Sequence, residues 1–240
     1  MIISFFEEFP TKENLNKVKL IDFPTKLYLA TTSLKEFNKI KKSIKNKHIK
    51  EIIYWPVLER KEGYWISPFT KRSALKRVLN ELKNTPVMLD LELPTRHNPF
   101  LYLTQSFNFF ANKALIKHFI KQYKSKIYAA EYFPEGKWKI LTLKTLGLHY
   151  DNTKVIKMFY SSLHSFSTKF LKKEFKTAKE RNYLIGLGTI SPGIHGNDPM
   201  ISLKTLKRDL SLAKKEKIKE AIIFRLGGLN KNYKKILTGL

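Results

Sequence analysis

Apolar runs of strand length alternate with amphipathic helical patterns along the whole chain. Short apolar runs bounded by turn residues are typical of buried parallel strands, whereas apolar positions with a period near 3.6 are typical of helices. The predicted strands cover residues 2–9, 26–31, 51–58, 86–94, 126–133, 154–163, 183–190 and 220–226.

The segments between these runs carry recognisable helix ends. A helix is expected to open at Thr11, and Ser33 followed three residues later by Glu36 forms a capping box. Gly147 suits the left-handed position that follows a helix. The aromatic-rich segment 98–123 predicts one long helix. Further helices are predicted at 73–84, 168–181 and 202–217, and after Gly228.

Eight strand-and-helix pairs within 240 residues match a single (β/α)8 TIM barrel, in which residues 1–240 form one domain. A doubly wound open sheet is the alternative, because alternation alone does not count the strands of a closed ring. The segment after the first strand, FEEFPTKEN, is acidic and contains proline rather than a glycine-rich phosphate fingerprint. The sequence therefore favours the barrel.

The segment PVMLDLELP, residues 86–94, places two carboxylates within an apolar strand. Because side chains alternate along a strand, Met88, Asp90 and Glu92 share one face. Buried carboxylates cost free energy unless they are paired, hydrogen-bonded or used in chemistry. Asp90 and Glu92 are therefore the leading site candidates, and an ion pair with Arg96, Arg225 or a barrel lysine is the structural alternative.

In barrels of this kind the chemistry lies at the carboxyl ends of the strands. The chain has only 20 acidic residues, yet five of them (Glu7, Glu8, Asp90, Glu92 and Glu131) fall at predicted strand ends. The predicted catalytic residues are Asp90, Glu92, Glu131 and Tyr160, and the predicted substrate-binding residues are Glu7, Tyr54, Trp55, Tyr132, Ser161, His195 and Arg225.

Two such carboxyls suit the hydrolysis of a glycosidic bond. Residues two apart on a strand have Cα atoms about 7 Å apart, and two carboxyls flanking the bond serve as acid and as base, nucleophile or stabiliser. Glu92, nearer the strand end, is the predicted proton donor, and Asp90 the ionised partner. Aromatic side chains would stack on sugar faces, so the predicted partner is a carbohydrate and no cofactor is expected.

The segment Asp90-Leu91-Glu92 resembles the D-x-E catalytic signature of chitinase-type glycoside hydrolases and of the barrel muramidases. Met158-Phe159-Tyr160 is similar to the M-x-Y that chitinase-like barrels carry on strand six. The resemblance rests on these two short motifs. It implies a TIM barrel with Glu92 as the acid, Asp90 as its partner, and Tyr160 as a hydrogen-bond donor to a substrate N-acetyl group.

A phosphosugar lyase or isomerase is the second interpretation. Glycines and a serine follow the seventh and eighth predicted strands, where barrels often bind phosphate through backbone N–H groups. Lys157 lies on strand six, where Schiff-base aldolases of this fold place their lysine. The residues concerned are Gly186, Gly188, Ser191, Gly193, Gly227 and Gly228.

A divalent metal site is the third interpretation, since carboxylates with one imidazole suit Mg²⁺ or Mn²⁺. Its ligands would come from Asp90, Glu92, Glu131, His195 and Asp198. The six histidines show no ligand spacing, and the chain has no cysteine, which excludes disulfides and thiolate ligands. No metal is expected.

The net charge of +26 allows a further reading as a non-catalytic barrel that binds nucleic acid, anionic lipid or an acidic polymer. The competing explanation is compositional, because 39 of the 46 basic residues are lysines spread along the predicted helices. Such a composition is also typical of thermophilic proteins. No run approaches a membrane span and the N-terminal segment MIISFFEEFP lacks a basic leader, so a cytoplasmic location is expected.

Overall fold

The computed structural model describes residues 1–94, 99–131 and 137–239. The strands hydrogen-bond in chain order and the ring closes, so the predicted (β/α)8 barrel is confirmed and the open doubly wound sheet is excluded. Neighbouring strands run parallel, as in the pairs of β1 with β8 and β4 with β5. The strands are β1 (Ile2–Glu7), β2 (Thr25–Thr31), β3 (Ile49–Pro56), β4 (Val87–Asp90), β5 (Ile127–Glu131), β6 (Lys154–Phe159), β7 (Leu184–Gly188) and β8 (Glu220–Phe224).

Most helix ends lie where the sequence places them. Thr11 Oγ1 accepts a hydrogen bond from Asn14 N at 3.2 Å, and Gly147 has φ +69 directly after the helix that ends at Leu146. Ser33 Oγ accepts from Glu36 N, whereas the Glu36 carboxylate accepts from Thr32 N. The helices are α1 (Lys12–Asn16), α2 (Leu34–Ser43), α3 (Arg72–Glu81), α4 (Phe100–Thr104), α5 (Phe109–Gln122), α6 (Lys137–Leu146), α7 (Thr168–Glu180), α8 (Leu203–Lys215) and α9 (Lys231–Thr238).

The long helix predicted at 98–123 is broken. Helix α4 ends at Thr104, and a 3₁₀ turn at Ser106–Asn108 precedes α5. Ser106 Oγ donates to Leu103 O at 2.7 Å, and Asn108 Nδ2 donates to Gln105 Oε1. Such local side-chain hydrogen bonds compete with the helical ladder, which explains the break.

The strand predicted at 86–94 is also shorter than expected. Its Asp90 carbonyl accepts from Ile66 N, a residue of the loop after β3, at 2.9 Å. Strand β4 therefore ends at Asp90, and Glu92 lies in the following loop.

The chain divides into two compact units, of which the first comprises Met1–Ala30, Lys39–Ile53 and Ile156–Leu240. The Phe6 ring lies 5.4 Å from the Tyr28 ring and 6.2 Å from the Phe224 ring. Phe224 also lies 5.7 Å from Tyr160. Tyr160 follows β6, which is not a neighbour of β8 in the ring, so its contact with Phe224 crosses the interior. Phe6, Tyr28 and Phe224 therefore mark the interior side of the barrel wall in this unit.

The start of β8 carries a buried polar network in the same unit. Glu220 Oε1 accepts from Ser4 Oγ at 2.8 Å and from Tyr28 OH at 3.0 Å, and Glu220 Oε2 accepts from Lys26 Nζ at 2.7 Å. A cluster at the amino-terminal ends of barrel strands is typical of stability rather than catalysis.

The second unit comprises Thr31–Asn38 and Tyr54–Val155. Tyr54 stacks on Phe37 of helix α2 at 4.9 Å and is in register with Val87. Because paired residues of parallel strands point to the same side, Val87 faces the helices and Asp90, three residues later, faces the interior side. None of the helices in the described residues is long and apolar enough to cross a membrane.

Candidate active site

Asp90 and Glu92 sit where strand β4 gives way to its loop. Asp90 is the last strand residue, only 5% exposed, and its side chain points away from the helices. Glu92 follows two residues later and is half-buried. The two carboxyls therefore differ in environment, because Asp90 is held buried at the end of the strand whereas Glu92 lies half-buried in the loop.

Tyr54 and Trp55 at the end of β3 face opposite sides. Tyr54 is fully buried against Phe37, and burial raises the pKa of its hydroxyl. Trp55, the next residue, is buried on the side that Asp90 faces. The predicted aromatic contribution to a substrate site therefore depends on Trp55, because Tyr54 belongs to the layer between strand and helix. Tyr132 lies outside the described residues.

Glu131 makes a pair that the sequence did not suggest. It is the last residue of β5 and fully buried, and its Oε1 lies 2.8 Å from Nδ1 of buried His149. The other ring nitrogen, Nε2, lies 3.4 Å from Asp151 Oδ1. Ala130 is in register with Asp90, so Glu131 points to the opposite, helix-facing side.

His149 lies in the loop between α6 and β6 and is buried there. The only hint in the sequence is its place in the apolar run GLHY, which the structure buries. The Glu131 carboxylate holds one ring nitrogen of His149 and so fixes the orientation of the ring. We expect this pair to position the segment before β6 rather than to meet a substrate.

Glu7 and Arg225, both predicted to bind substrate, satisfy each other in the first unit. Glu7 Oε1 accepts from Arg225 Nη1 at 3.1 Å and from Phe9 N at 2.8 Å, and Glu7 Oε2 accepts from Gly227 N at 2.6 Å. Burial raises the pKa of Glu7, and Arg225 and the two backbone donors oppose that rise. Arg225 Nε also donates to Pro192 O at 2.8 Å. The pair thus ties the loops after β7 and β8 to strand β1.

Glu8, one residue further, points the other way. It is buried, and its Oε2 borders Gly193, where an added Cβ would lie 3.0 Å from it and 3.1 Å from Asp198 Oδ2. The same Cβ would lie 2.9 Å from Cζ of Phe224, which marks the interior side. Of the two acids that end strand one, Glu8 is therefore the one on the interior side.

Tyr160, Ser161 and His195 have different surroundings. Tyr160 is buried just after β6, and its hydroxyl donates to Met158 Sδ at 3.3 Å. Ser161 Oγ accepts from Arg208 Nη2 at 3.3 Å. His195 is exposed in the loop after β7.

The backbone donors after β7 and β8 are engaged by carboxylates. Gly193 N donates to Asp198 Oδ2 at 2.7 Å, and Gly227 N donates to Glu7 Oε2 at 2.6 Å. A phosphate would need those N–H groups free. A Cβ on Gly228 would overlap the carbonyl of Ile190, so close packing explains that glycine. These contacts do not favour a phosphate site.

Lys157 does not face the interior either. Its neighbour Phe159 packs on Phe175 of helix α7 at 5.4 Å, which identifies the helix-facing side of β6. Lys157 alternates in phase with Phe159 and is buried with its Nζ 5.8 Å from the Tyr183 ring. A Schiff-base lysine must reach the substrate, so this placement disfavours the aldolase interpretation.

The described residues contain no group of three histidine, aspartate or glutamate side chains close enough to hold a metal ion. Of the proposed ligands, Asp198 accepts the Gly193 hydrogen bond and Glu131 lies against His149. The metal interpretation has no support in this part of the chain.

A closed ring of eight parallel strands, with carboxylates at strand ends, defines a protein of the TIM-barrel class. No protein-family model matches the sequence, and no curated protein matches it. Among solved structures, the chain is similar to a GH5-4 broad specificity endoglucanase from Bacteroides salanitronis, with a TM-score of 0.51 and 10% identity over 94% of this chain and 83% of that one.

A second similarity is to a family 18 chitinase from Crocus vernus, with a TM-score of 0.48 and 12% identity over 95% of this chain and 94% of that one. At 10% identity the similarity to the endoglucanase extends to the fold alone, and it agrees with the barrel that the strand order defines.

Proposed function

We propose that the protein is a glycoside hydrolase-like enzyme that cleaves a carbohydrate by acid/base chemistry of Glu92 and Asp90. The observation that carries this proposal is the burial of Asp90 on the interior side at the carboxyl end of β4, with Glu92 two residues away. Catalytic residues of this fold come from such strand ends. The similarity in fold to an endoglucanase is consistent with it.

The two carboxyls have separate roles in the proposed reaction. Glu92, half-buried in the loop, protonates the glycosidic oxygen as the bond to the anomeric carbon breaks, and water completes the hydrolysis. Asp90, buried and fixed at the strand end, stabilises the positive charge that develops on the sugar ring. Two carboxyls in unlike environments are the usual means by which one stays protonated while the other is ionised.

Three other predicted site residues are assigned supporting roles in binding or positioning. Trp55 places a buried aromatic ring on the side that Asp90 faces, and this ring is proposed as the wall against which a sugar packs. Glu131 acts through His149 as a positioning residue. Tyr160 donates its hydroxyl hydrogen to a thioether, a weak acceptor that a substrate oxygen would outcompete. Tyr160 is therefore proposed as a substrate-binding residue.

Incubation with chito-oligosaccharides, peptidoglycan and cello-oligosaccharides, followed by mass spectrometry of the products, tests the proposal. We expect the wild-type chain to release shorter saccharides from one of these, and Asp90→Asn to lose that activity. Glu180→Gln, an exposed substitution on α7, is the control and should retain it. Absence of hydrolysis on all three substrates, or full activity of Asp90→Asn, would contradict the proposal.

A cytoplasmic location remains a prediction from the sequence. Cell fractionation followed by immunoblotting checks it, and recovery of the protein outside the cytoplasmic and membrane-associated fractions would contradict it.

A further inference from the structure

The second unit exposes large apolar side chains on the helices after β4 and β5. Phe100 and Leu103 lie on α4, Phe107 lies on the 3₁₀ turn after it, and Phe110 lies in the first turn of α5. Trp138 and Leu141 are three residues apart on α6. We call these six residues the apolar surface; they are between 56% and 94% exposed.

The other side of α4 and of α5 is anchored, so their exposed apolar side chains are held outward. Leu101, Ile116 and Ile120 are buried. Buried Asn112 donates from Nδ2 to Pro68 O at 2.9 Å and to Thr70 O at 3.0 Å. Rotation of α5 to hide Phe110 would break these hydrogen bonds in a buried setting, which is costly.

Helix α6 lies beside α5. Lys113 Nζ on α5 donates to Thr145 O on α6 at 2.8 Å, and Leu143 of α6 is buried while Trp138 and Leu141 are exposed. The two parts of the apolar surface therefore belong to adjacent elements. Exposed apolar patches of this kind mark interaction sites.

Within the described residues, helices α5 and α6 carry lysines and no acidic side chain. No Asp or Glu occurs between Leu93 and Ala130, whereas the exposed part of α5 carries Lys117 and Lys121. Helix α6 has exposed Lys139 and Lys144, and no acid. The next acid, Asp151, is bound by Lys144 Nζ at 2.9 Å. In the part of the chain that the structure describes, these helices are therefore cationic as well as apolar.

We propose that the apolar surface binds the interface of an anionic lipid bilayer, with its phenylalanine, leucine and tryptophan side chains at the acyl boundary. Helices with Trp, Phe and Leu on one side and lysines beside them are typical of surfaces that lie in the membrane interface. Lysine near an anionic leaflet adds electrostatic attraction. The occupant that complements both the apolar side chains and a +26 chain is an anionic membrane.

Two other occupants fit less well. A second copy of the chain would bring the same lysines against each other in an isologous contact, and each copy carries +26. Single-stranded nucleic acid would stack on the aromatic rings but gain little from Leu103 and Leu141. The test below has a separate outcome for each of these two occupants.

The test is co-sedimentation with vesicles of phosphatidylcholine alone, or with about one third phosphatidylglycerol, at low and high salt. We expect the wild-type protein to pellet with the anionic vesicles and to bind them less at high salt. Phe107→Ser/Phe110→Ser should bind about tenfold or more weakly. Met200→Ser/Leu203→Ser removes two exposed apolar side chains of the first unit and should bind as the wild type does.

Fluorescence of Trp138 reports insertion directly. Anionic vesicles should shift the tryptophan emission to the blue, and Trp138→Phe should abolish the shift, because Trp55 is buried and half-buried Trp65 packs against Tyr64. Circular dichroism melting checks that the variants fold. If the double variant does not fold, Phe107→Ser alone is used, since Phe107 is 94% exposed and leaves the interior intact.

Three results would overturn the proposal. The first is an absence of binding to anionic vesicles, or equal binding by Phe107→Ser/Phe110→Ser. The second is self-association by analytical ultracentrifugation that this variant abolishes, which would assign the surface to a second copy. The third is a shift of Trp138 emission by a single-stranded oligonucleotide with no shift by vesicles, which would assign it to nucleic acid.

Discussion

Glu131 Oε1 and His149 Nδ1 lie 2.8 Å apart with both side chains buried. The contact joins the last residue of β5 to the segment between α6 and β6. It bridges 18 residues of chain, part of which lies outside the described residues. We infer that it fixes the approach of the chain to β6.

Replacement of His149 by phenylalanine should destabilise the fold by about 2–4 kcal/mol, because it leaves a buried carboxyl without its ring-nitrogen partner. Urea denaturation measures the loss. His118→Phe on the exposed side of α5 is the matched control and should change the free energy of unfolding little. Equal stability of the two variants would show that the Glu131–His149 contact contributes nothing.

The network around Glu220 makes a second prediction. Glu220→Gln keeps the side-chain volume but replaces one carboxylate oxygen by an NH₂ donor, which then faces either Lys26 Nζ or the hydroxyls of Ser4 and Tyr28. A buried donor facing donors is unsatisfied, so we expect a loss of about 2–3 kcal/mol. Chemical denaturation of Glu220→Gln beside Glu180→Gln tests this. If Glu220→Gln and Glu180→Gln have nearly the same free energy of unfolding, the Glu220 network does not stabilise the fold.

Two glycines should respond differently to alanine. A Cβ on Gly228 would overlap the Ile190 carbonyl, so Gly228→Ala must shift backbone and should cost about 3 kcal/mol or more. Gly196 has φ +76 and open space around its Cβ position, so Gly196→Ala should cost only about 1 kcal/mol from backbone strain. Thermal melting ranks the two, and the reverse order would be inconsistent with the packing at Gly228.

The Glu62–Arg77 pair predicts a pH effect. Arg77 donates to both carboxylate oxygens of Glu62, at 3.0 and 2.8 Å, and these bonds lower the Glu62 pKa below the ordinary 4.5. The unfolded chain then binds more protons than the folded one just below pH 4.5. The stabilisation is therefore complete above that pH and is lost as the pH falls through the folded pKa.

Glu62→Gln should accordingly cost on the order of 1 kcal/mol near neutral pH and less in acid, since solvent screens the half-exposed Arg77 side chain. Melting temperatures of both proteins between ~pH 3 and ~pH 7 measure this difference. If the difference in melting temperature between the two proteins stays constant over this pH range, the Glu62 pKa is not lowered in the folded protein.

The alternation of strands and helices predicts the barrel because each element has to bury an apolar face. The sequence predicts less well which side of a strand each side chain faces. Phe5 and Phe6 are both apolar because a barrel strand is buried on both sides, so the sequence does not reveal whether the side of Glu7 or the side of Glu8 faces the interior. The Glu7–Arg225 contact depends on residues 218 positions apart, which no local pattern reports.

Helix ends follow local rules and are predicted better than long-range contacts. Thr11, Ser33 and Gly147 all act where short-range hydrogen bonding and backbone freedom require them. The break before α5 has a local signal as well, in the polar run TQSFN, which the apolar periodicity of the segment obscures. His149 has no such signal, because its partner Glu131 lies on another element.

The central proposal is that Glu92 supplies the proton that cleaves a glycosidic bond. The measurement that tests it most directly is kcat of Glu92→Gln on the saccharide that the wild type cleaves, together with the melting temperatures of both proteins. We predict a fall in kcat of about 10²- to 10⁴-fold with a melting temperature unchanged or raised. Unchanged kcat, or a large loss of stability, would contradict the assignment of Glu92 as the catalytic acid.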